Sequence, residues 1–327
     1  MAAFRNAQKA ISLAAEGNHT PILATPFGRT ELAPPGYARG AAVAWPIKVA
    51  LKLAFGWAPR TWLNAVRVNR ASHRAEEDAA HVDIPLGLCC QFEEARGRRP
   101  ASVLEFGPGG MVAQCVTFAA LGANPVILVE QTDLARRDPA PFQCAAHTLR
   151  QRGYAASDLD GVSDALAAMA ACHTTYLSNG LRALRTLPDA QFDFVASSAV
   201  LEHVRSAELA ETLHHLRRVM RPDGYALHGV DLHDHFGGGL NSLRFSSAFW
   251  EHPYIARCGL YTNRWSERQW LAGFEAAGFD IERLDRAVWP KPPIATRQVH
   301  RDVDRQPDDL LTAWIVIGLG RTDRPHL

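Results

Sequence analysis

The sequence predicts an α/β fold: a doubly wound, mostly parallel sheet with helices on both faces, preceded by an N-terminal helical cap. Three observations carry this. From residue 100 onward, short apolar runs bounded by Gly or Pro alternate with longer amphipathic segments; the first of these runs ends in closely spaced glycines; and a late run, Ala313 to Gly318 (AWIVIG), is apolar enough for a buried strand. Strand and helix alternation of this kind requires crossovers that cover both sheet faces.

Taken in chain order, Thr20 to Pro35 is rich in Pro, Gly and Thr and reads as loop. Pro46 to Trp57 places Ile47, Leu51, Ala54 and Phe55 at helical spacing, with Lys48 and Lys52 on another face. That helix is expected to pack on the main domain with solvated lysines, the alternatives being a lid or a membrane-surface helix. The basic turn Gly97-Arg98-Arg99-Pro100 divides a cap or lid, residues 1–99, from a main domain, residues 100–327. In the main domain, Ser102 to Phe106 and Pro125 to Val129 read as strands around a helix from Met111 to Leu121. Phe192 to Ser197 reads as a strand, Ala207 to Met220 as a helix with Leu209, Leu213 and Leu216 on one side, and Gly224 to Val230 as a strand. Glu267 to Ala277 is helical before Gly278.

Composition narrows the function. The 327 residues carry 35 Lys and Arg against 34 Asp and Glu, without the basic excess that displaces counterions from nucleic acid. A 47% hydrophobic content excludes wholesale disorder. The six cysteines, Cys89, Cys90, Cys115, Cys144, Cys172 and Cys258, include no pair at two-residue spacing, so a reduced, cytoplasmic protein is expected. Arg5, Lys9 and Glu16 interrupt any secretory core, and Pro46, Lys48 and Lys52 break the most apolar stretch, so no membrane span is expected.

Chemistry concentrates at strand ends. In Val103-Leu104-Glu105-Phe106-Gly107-Pro108-Gly109-Gly110, the glycines let the backbone turn sharply and approach a ligand closely. Glu130 lies 21 positions past Gly109 at the end of the next strand, where a carboxylate accepts both hydroxyls of a ribose. A nucleoside-containing ligand follows, against the plainer reading of a tight turn and a surface acid. His228, Asp231, His233, Asp234 and His235 form the densest polar cluster. Alternation turns Asp231, His233 and His235 one way and Asp234 the other, so no metal is expected, and a polar pocket wall or a hydrogen-bonded turn is favoured. Gly237-Gly238-Gly239 then makes a tight or mobile loop.

Leu187 to Val195 and Ser197 to Val204 (SSAVLEHV) resemble the central strand and following loop of class I S-adenosylmethionine-dependent methyltransferases. Val103 to Gly110 resembles their first motif, and Arg218 to Gly224 their helix-to-strand turn. The run from Val230 to Phe245, with Trp250-Glu251 and Gly259 to Arg264 (GLYTNR), resembles a bacterial subgroup of methyltransferase-domain proteins. The resemblance spans about Ser102 to Gly320 and implies a Rossmann-like sheet with S-adenosyl-L-methionine as cofactor. It implies that Gly107 and Gly109 frame the methionine part and that Glu130 holds the ribose, with Glu105, Pro108, Gln131, Asn179 and Ser197 also at the cofactor. Ser197 and Ser198 would lie beside the reacting centre, and His203 would be a base, against a packing or capping role. Met111 replaces a frequent third glycine, and no acid stands near Ser178 to Gly180, leaving adenine to backbone contacts, Asn179 or Tyr176.

Methyl transfer to O or N of a small molecule is therefore the expected reaction, with His203, Tyr176 and Ser198 as catalytic candidates and no nucleic-acid partner. An alternative is a lyase or cyclase that releases methylthioadenosine from the cofactor without an acceptor, as azetidine-2-carboxylate synthases do. That site would need aromatic faces around the sulfonium, from Tyr176 and a cap residue such as Trp45, Trp57 or Trp62. A third reading is a non-catalytic binding protein with the same fold. Acceptor identity and oligomeric state are not encoded in these motifs.

Overall fold

The computed structural model describes residues 22–25, 28–31, 44–56, 80–133 and 138–321. Arg5, Lys9, Glu16, Trp57 and Trp62 lie outside the described residues. Nine strands are described: β1 (Ile22–Thr25), β2 (Gly28–Glu31), β3 (Val103–Phe106), β4 (Val126–Val129), β5 (Thr174–Leu177), β6 (Phe192–Ser198), β7 (Met220–Asp231), β8 (Phe279–Val288) and β9 (Thr312–Arg321). The helices are α1 (Trp45–Phe55), α2 (Ala80–Arg96), α3 (Cys115–Ala120), α4 (Ala140–Gln151), α5 (Ala165–Ala171), α6 (Leu181–Thr186), α7 (Ser206–Val219), α8 (Ser247–Trp250), α9 (Pro253–Arg257) and α10 (Glu267–Ala276).

Strands β3 to β9 form one sheet in the order β5-β4-β3-β6-β7-β9-β8. Neighbours from β5 to β7 are parallel, and β9 is antiparallel to both β7 and β8. The Rossmann-like expectation holds. β9 is the antiparallel strand that lies inside the sheet, with β8 at the edge.

Alternation along the strands builds two cores. Val103, Val126, Leu128, Phe194 and Ala196 face the layer of α2 to α5, while Leu104, Phe106, Ile127, Val129 and Val195 face α6, α7 and α10. On α7, Leu209, Leu213 and Leu216 are fully buried at helical spacing, as the sequence indicated. Each such side chain contributes roughly 1.5–3 kcal/mol by leaving water.

Although α2 precedes the Gly97-Arg98-Arg99-Pro100 turn, Val82, Leu88, Cys89 and Phe92 are buried in the first core. The Phe92 ring lies 5.4 Å from that of Phe194 on the central strand. At the end of α2, Arg96 makes two 2.8 Å hydrogen bonds to Glu282 on β8 and one of 2.9 Å to the Gly224 carbonyl on β7. Asp193, 1% exposed, accepts from the Ala101 N–H at 2.8 Å and pairs with Arg98 and Arg221, each at 3.1 Å. These contacts tie the start of β6 to the segment entering β3.

Four sequence expectations change. Thr20 to Pro35, expected as loop, contains the antiparallel β1–β2 ribbon. β5 and β8 were not read as strands: β5 is only four residues long, and β8 (FDIERLDRAV) mixes charges into an edge strand, where they protect an open edge. On α1 the buried side is Trp45, Val49 and Leu53, whereas Ile47 and Leu51 are 54% and 48% exposed. The aromatic cluster beneath selected a different stripe from the one that spacing alone suggested. Among the described residues no helix is long and apolar enough to cross a membrane.

Truncating Phe92 to Ala is expected to cost about 3–5 kcal/mol by opening a cavity between α2 and β6. Chemical denaturation of Phe92→Ala measures it; a loss below about 1 kcal/mol would show that α2 is dispensable to the core.

Candidate functional site

The carboxyl ends of β3, β4 and β6 open onto a cavity of about 570 Å³. Gly107 and Gly109 form one wall, Glu130, Gln131 and Thr132 a second, and Ala199, Val200, His203, Val204 and Arg205 a third. Ala256, Gly259 and Tyr261 close it from the side of α9. The volume suits a nucleoside-sized ligand.

Gly107 ends β3 at φ +79°, and a Cβ there would sit 2.4 Å from Val200 Cγ1. Only glycine allows this turn and lets the β6 loop come so close. Gly109, at φ +61°, has nothing within 4 Å of where its Cβ would be, so its backbone faces open space.

Glu130 caps this turn. Its Oε2 accepts from the Gly109 N–H at 2.8 Å and its Oε1 from the Gln131 N–H at 2.7 Å. Burial raises its pKa, while the N–H groups of Gln131, Gly109 and Thr132 oppose the rise. Glu105 lies on the α2–α5 side of β3. Gln114 donates to its Oε1, and its Oε2 is buried without a partner. Burial pushes its pKa up to about 8, against the bond from Gln114 and with the repulsion of Glu130.

His203 stands in the loop after β6 and lines the cavity. Its Nδ1 lies 3.0 Å from the Tyr261 carbonyl oxygen, an acceptor only, so Nδ1 carries the proton and Nε2 the lone pair. Burial of the ring, then His235, lowers its pKa to about 4, against the Tyr261 carbonyl and the Asp231 charge, which raise it. The ring is neutral near pH 7.

The β6 loop is held from outside by Gly259 to Arg264. Asn263 donates its N–H to the Glu202 carbonyl at 2.6 Å and its amide to the Leu201 carbonyl at 2.8 Å. Tyr261 donates its hydroxyl to Glu251 at 3.0 Å and accepts from the Ser206 N–H at 3.0 Å. The Arg205 guanidinium lies over the Tyr261 ring at 4.3 Å and pairs with Glu251 at 3.2 Å. Arg264 donates to the Phe245 carbonyl at 2.9 Å and covers the Trp250 ring at 5.5 Å. Helix α1 rests on the same segment: Trp45, Val49 and Leu53 pack with Phe236, Trp250 and Ile255, and Lys52 donates to the Gly259 carbonyl at 2.7 Å. Lys52 is thus engaged with protein rather than solvated.

The structure gathers Gly107, Gly109, Glu130, Gln131 and His203 around the cavity, with Glu105 and Pro108 buried behind the turn. Asn179, at φ +85°, is not among the lining residues. Three further candidates are not among the residues that line the cavity. Ser197 is buried on the sheet, 2.7 Å from His228 Nδ1, and does not reach the cavity. Ser198 sits in the β6 ladder opposite Gly229, and Ala199 takes the lining position. Tyr176 donates to the Thr132 carbonyl at 3.2 Å and packs against the first core instead of lining the cavity.

The His and Asp cluster divides. His228 joins Ser197 and stacks on Phe274 at 5.6 Å. Asp231 accepts from the His233 N–H at 2.8 Å and from its ring, and lies 3.4 Å from His235 Nε2. Asp234 turns away to accept from Gly237 and Asn241 N–H groups, each at 2.6 Å, fixing the glycine loop as a hydrogen-bonded turn. Val200, Arg205, Glu208 and Tyr261 line the cavity but were missed as site residues. Tyr261 had a signal, since it lies within the quoted Gly259 to Arg264 motif; Glu208 looks like any helix-start acid.

Residues 86–284 match the model of a family described as methyltransferase domain. No curated protein sequence matches the chain. Among solved structures, the chain is similar to the 1,6-didemethyltoxoflavin-N1-methyltransferase of Burkholderia thailandensis, bound to 1,6-didemethyltoxoflavin and S-adenosylhomocysteine. That match has 18% identity, covers 89% of this chain and 100% of that one, and has a TM-score of 0.45. An S-adenosylmethionine-dependent methyltransferase from Mesorhizobium loti matches at 15% identity over 67% of this chain and 90% of its own, with a TM-score of 0.39. The cyclase SpnF matches at 14% identity over 73% and 81%, with a TM-score of 0.41.

Two outcomes test the local geometry. Glu105 has its pKa raised in the folded state, so the stability it allows is fullest below about pH 4.5 and falls as pH rises toward 8. Glu105→Gln is therefore expected to raise the Tm of the ligand-free protein at pH 8.5 and to leave it nearly unchanged at pH 5; equal effects at both pH values would contradict the assignment. Gly107→Ala is expected to lower the Tm by several degrees, and the companion change Val200→Ala to recover only part of that, because the φ strain persists.

Proposed function

Because this chain belongs to the methyltransferase-domain family, we propose that it moves a methyl group from S-adenosylmethionine to an oxygen or nitrogen of a small molecule held beside His203. S-adenosylmethionine, the family's cofactor, supplies a methyl group already activated on a sulfonium. The observation that carries the reading is the convergence of Gly107, Gly109, Glu130 and His203 on one cavity.

The residues present fit the cofactor. Glu105 Oε2 is a buried acceptor without a donor, which a cationic amino group would satisfy. Gly109 leaves room for close backbone approach, and Glu130 offers a carboxylate for ribose hydroxyls. Gln131, Thr132 and Leu181 line the neighbouring wall, where an adenine would rest without an acidic partner. The lone pair of His203 Nε2 faces chemistry as a proton acceptor, with Nδ1 fixed by the Tyr261 carbonyl. Tyr176 and Ser198 act through packing, by supporting Thr132 and Ala199. In this reading α1 is the part of the expected cap that braces α9 and the segment carrying Tyr261, α2 belongs to the core of the cofactor-binding domain, and the protein works in the cytoplasm.

One arrangement favours transfer over cleavage of the cofactor alone. Of the aromatic faces that cyclisation was expected to use, Tyr176 packs against the first core and Trp45 against Phe236 and Phe245, while the cavity's Tyr261 presents a ring face to the Arg205 guanidinium.

Mass spectrometry of protein incubated with S-adenosylmethionine is expected to show S-adenosylhomocysteine only after a small-molecule cell extract is added, and no enzyme-dependent methylthioadenosine. Methylthioadenosine formed without extract would replace this reading with the cyclase. Glu130→Ala is expected to weaken S-adenosylhomocysteine binding at least tenfold by calorimetry; unchanged affinity would remove Glu130 from the cofactor site.

A further inference from the structure

The β6 loop holds a second set of groups that cofactor binding does not use. Glu202 is 1% exposed, and neither of its carboxylate oxygens has a hydrogen-bond partner. Burial, then the Asp231 charge, pushes its pKa up, against the backbone N–H groups of Glu202 and Asp231, neither of which makes a hydrogen bond to it. A buried, unpartnered carboxylate is costly unless a cation or donor completes it. Beside it stand two imidazoles, His203 and His235, with ring centroids 4.8 Å apart. One ligand atom from each of Glu202, His203 and His235 lies within 4.8 Å of the other two.

We propose that Glu202, His203 and His235 bind one divalent transition-metal ion at the cavity wall, with open coordination positions that take an oxygen donor of the acceptor. Two imidazoles and one carboxylate match Zn²⁺, Co²⁺, Mn²⁺ or Fe²⁺ rather than Ca²⁺ or Mg²⁺. Ligand atoms about 2.1 Å from a tetrahedral metal lie about 3.4 Å apart, so modest ring rotations bring this trio into range. Support from outside the trio is present. The Tyr261 carbonyl fixes the His203 tautomer so that Nε2 is the free donor, and Asp231 Oδ2 lies 3.4 Å from His235 Nε2. His203 is the member that lines the cavity, so the open positions face bound acceptor. The trio spans two elements, the loop after β6 and the run after β7, which explains why the clustered His and Asp residues of the sequence did not reveal it.

In the metal-loaded protein His203 serves as a ligand, and the metal takes over the activation of the acceptor oxygen that the free imidazole would otherwise provide. Only this role rests on the methyl-transfer reading; binding of the ion does not. The consequence is an acceptor that offers a hydroxyl, phenol or carboxylate oxygen rather than an amine.

Full-length protein stripped with a chelator and desalted would be titrated with Co²⁺, following visible d–d absorption and calorimetric heat. One ion per chain is expected, with affinity at least tenfold weaker in Glu202→Gln and in His235→Ala and unchanged in His300→Ala, a surface histidine paired with Asp302. Circular dichroism and melting check the fold of each variant; should Glu202→Gln not fold, the exposed His235→Ala decides. No saturable binding, or binding equal in the wild type and both variants, would overturn the proposal. S-adenosylhomocysteine titrated into the same metal-free samples separates the two readings: its binding without Co²⁺ uptake defeats the metal site alone, and Co²⁺ uptake without its binding defeats the cofactor site alone.

Discussion

The site depends on the close approach of two chain segments at Gly107 and Val200. A Cβ at 107 would lie 2.4 Å from Val200, so the glycine turn after β3 and the loop after β6 are packed as one surface. This contact sets the distance between the wall carrying Glu130 and the wall carrying His203. Parallel pairing of β3 with both β4 and β6 brings those ends together, and the absence of a side chain at 107 lets them close. Since the β6 loop has little regular structure, it takes its shape from Asn263 and Tyr261, which tie it to the segment braced by α1.

Burial gives the acids around the cavity different charges. Glu105 and Glu202 are enclosed with too few donors, and burial raises both pKa values. Asp231, also enclosed, meets His233 and His235 and is held well below the usual carboxylate range. Glu130 lies between, with burial offset by three backbone N–H groups. A carboxyl group enclosed with too few donors favours its neutral form or a cation; Glu105 lies behind the glycine wall of the cavity and Glu202 next to His203. In the readings proposed above, the first meets the cofactor's amino group and the second a metal ion.

Much of the fold was legible because buried parallel strands need continuous apolar runs, and VLEF, VILV and AWIVIG have them. The edge strand β8 was hidden because solvent on one side permits Glu282, Arg283, Asp285 and Arg286. In the candidate site, the convergence of Gly107, Gly109 and Glu130 could be read because it rests on backbone and spacing. Where Ser197 and Ser198 point was not legible, because a strand end places alternate residues on opposite sides and His228, 2.7 Å from Ser197, comes from β7. Tyr261 and the Glu202, His203 and His235 grouping depend on segments distant in sequence, which no local pattern encodes. The same holds for α1, where Phe236, Trp250 and Ile255 decided which stripe is buried.

The most direct measurement is a crystal structure of the protein with S-adenosylhomocysteine. The account predicts the ribose hydroxyls on the Glu130 carboxylate, the amino group within reach of Glu105, and the thioether sulfur in the cavity beside His203. Nucleoside bound away from Glu130, or a cavity still filled by protein side chains with the ligand elsewhere, would contradict it.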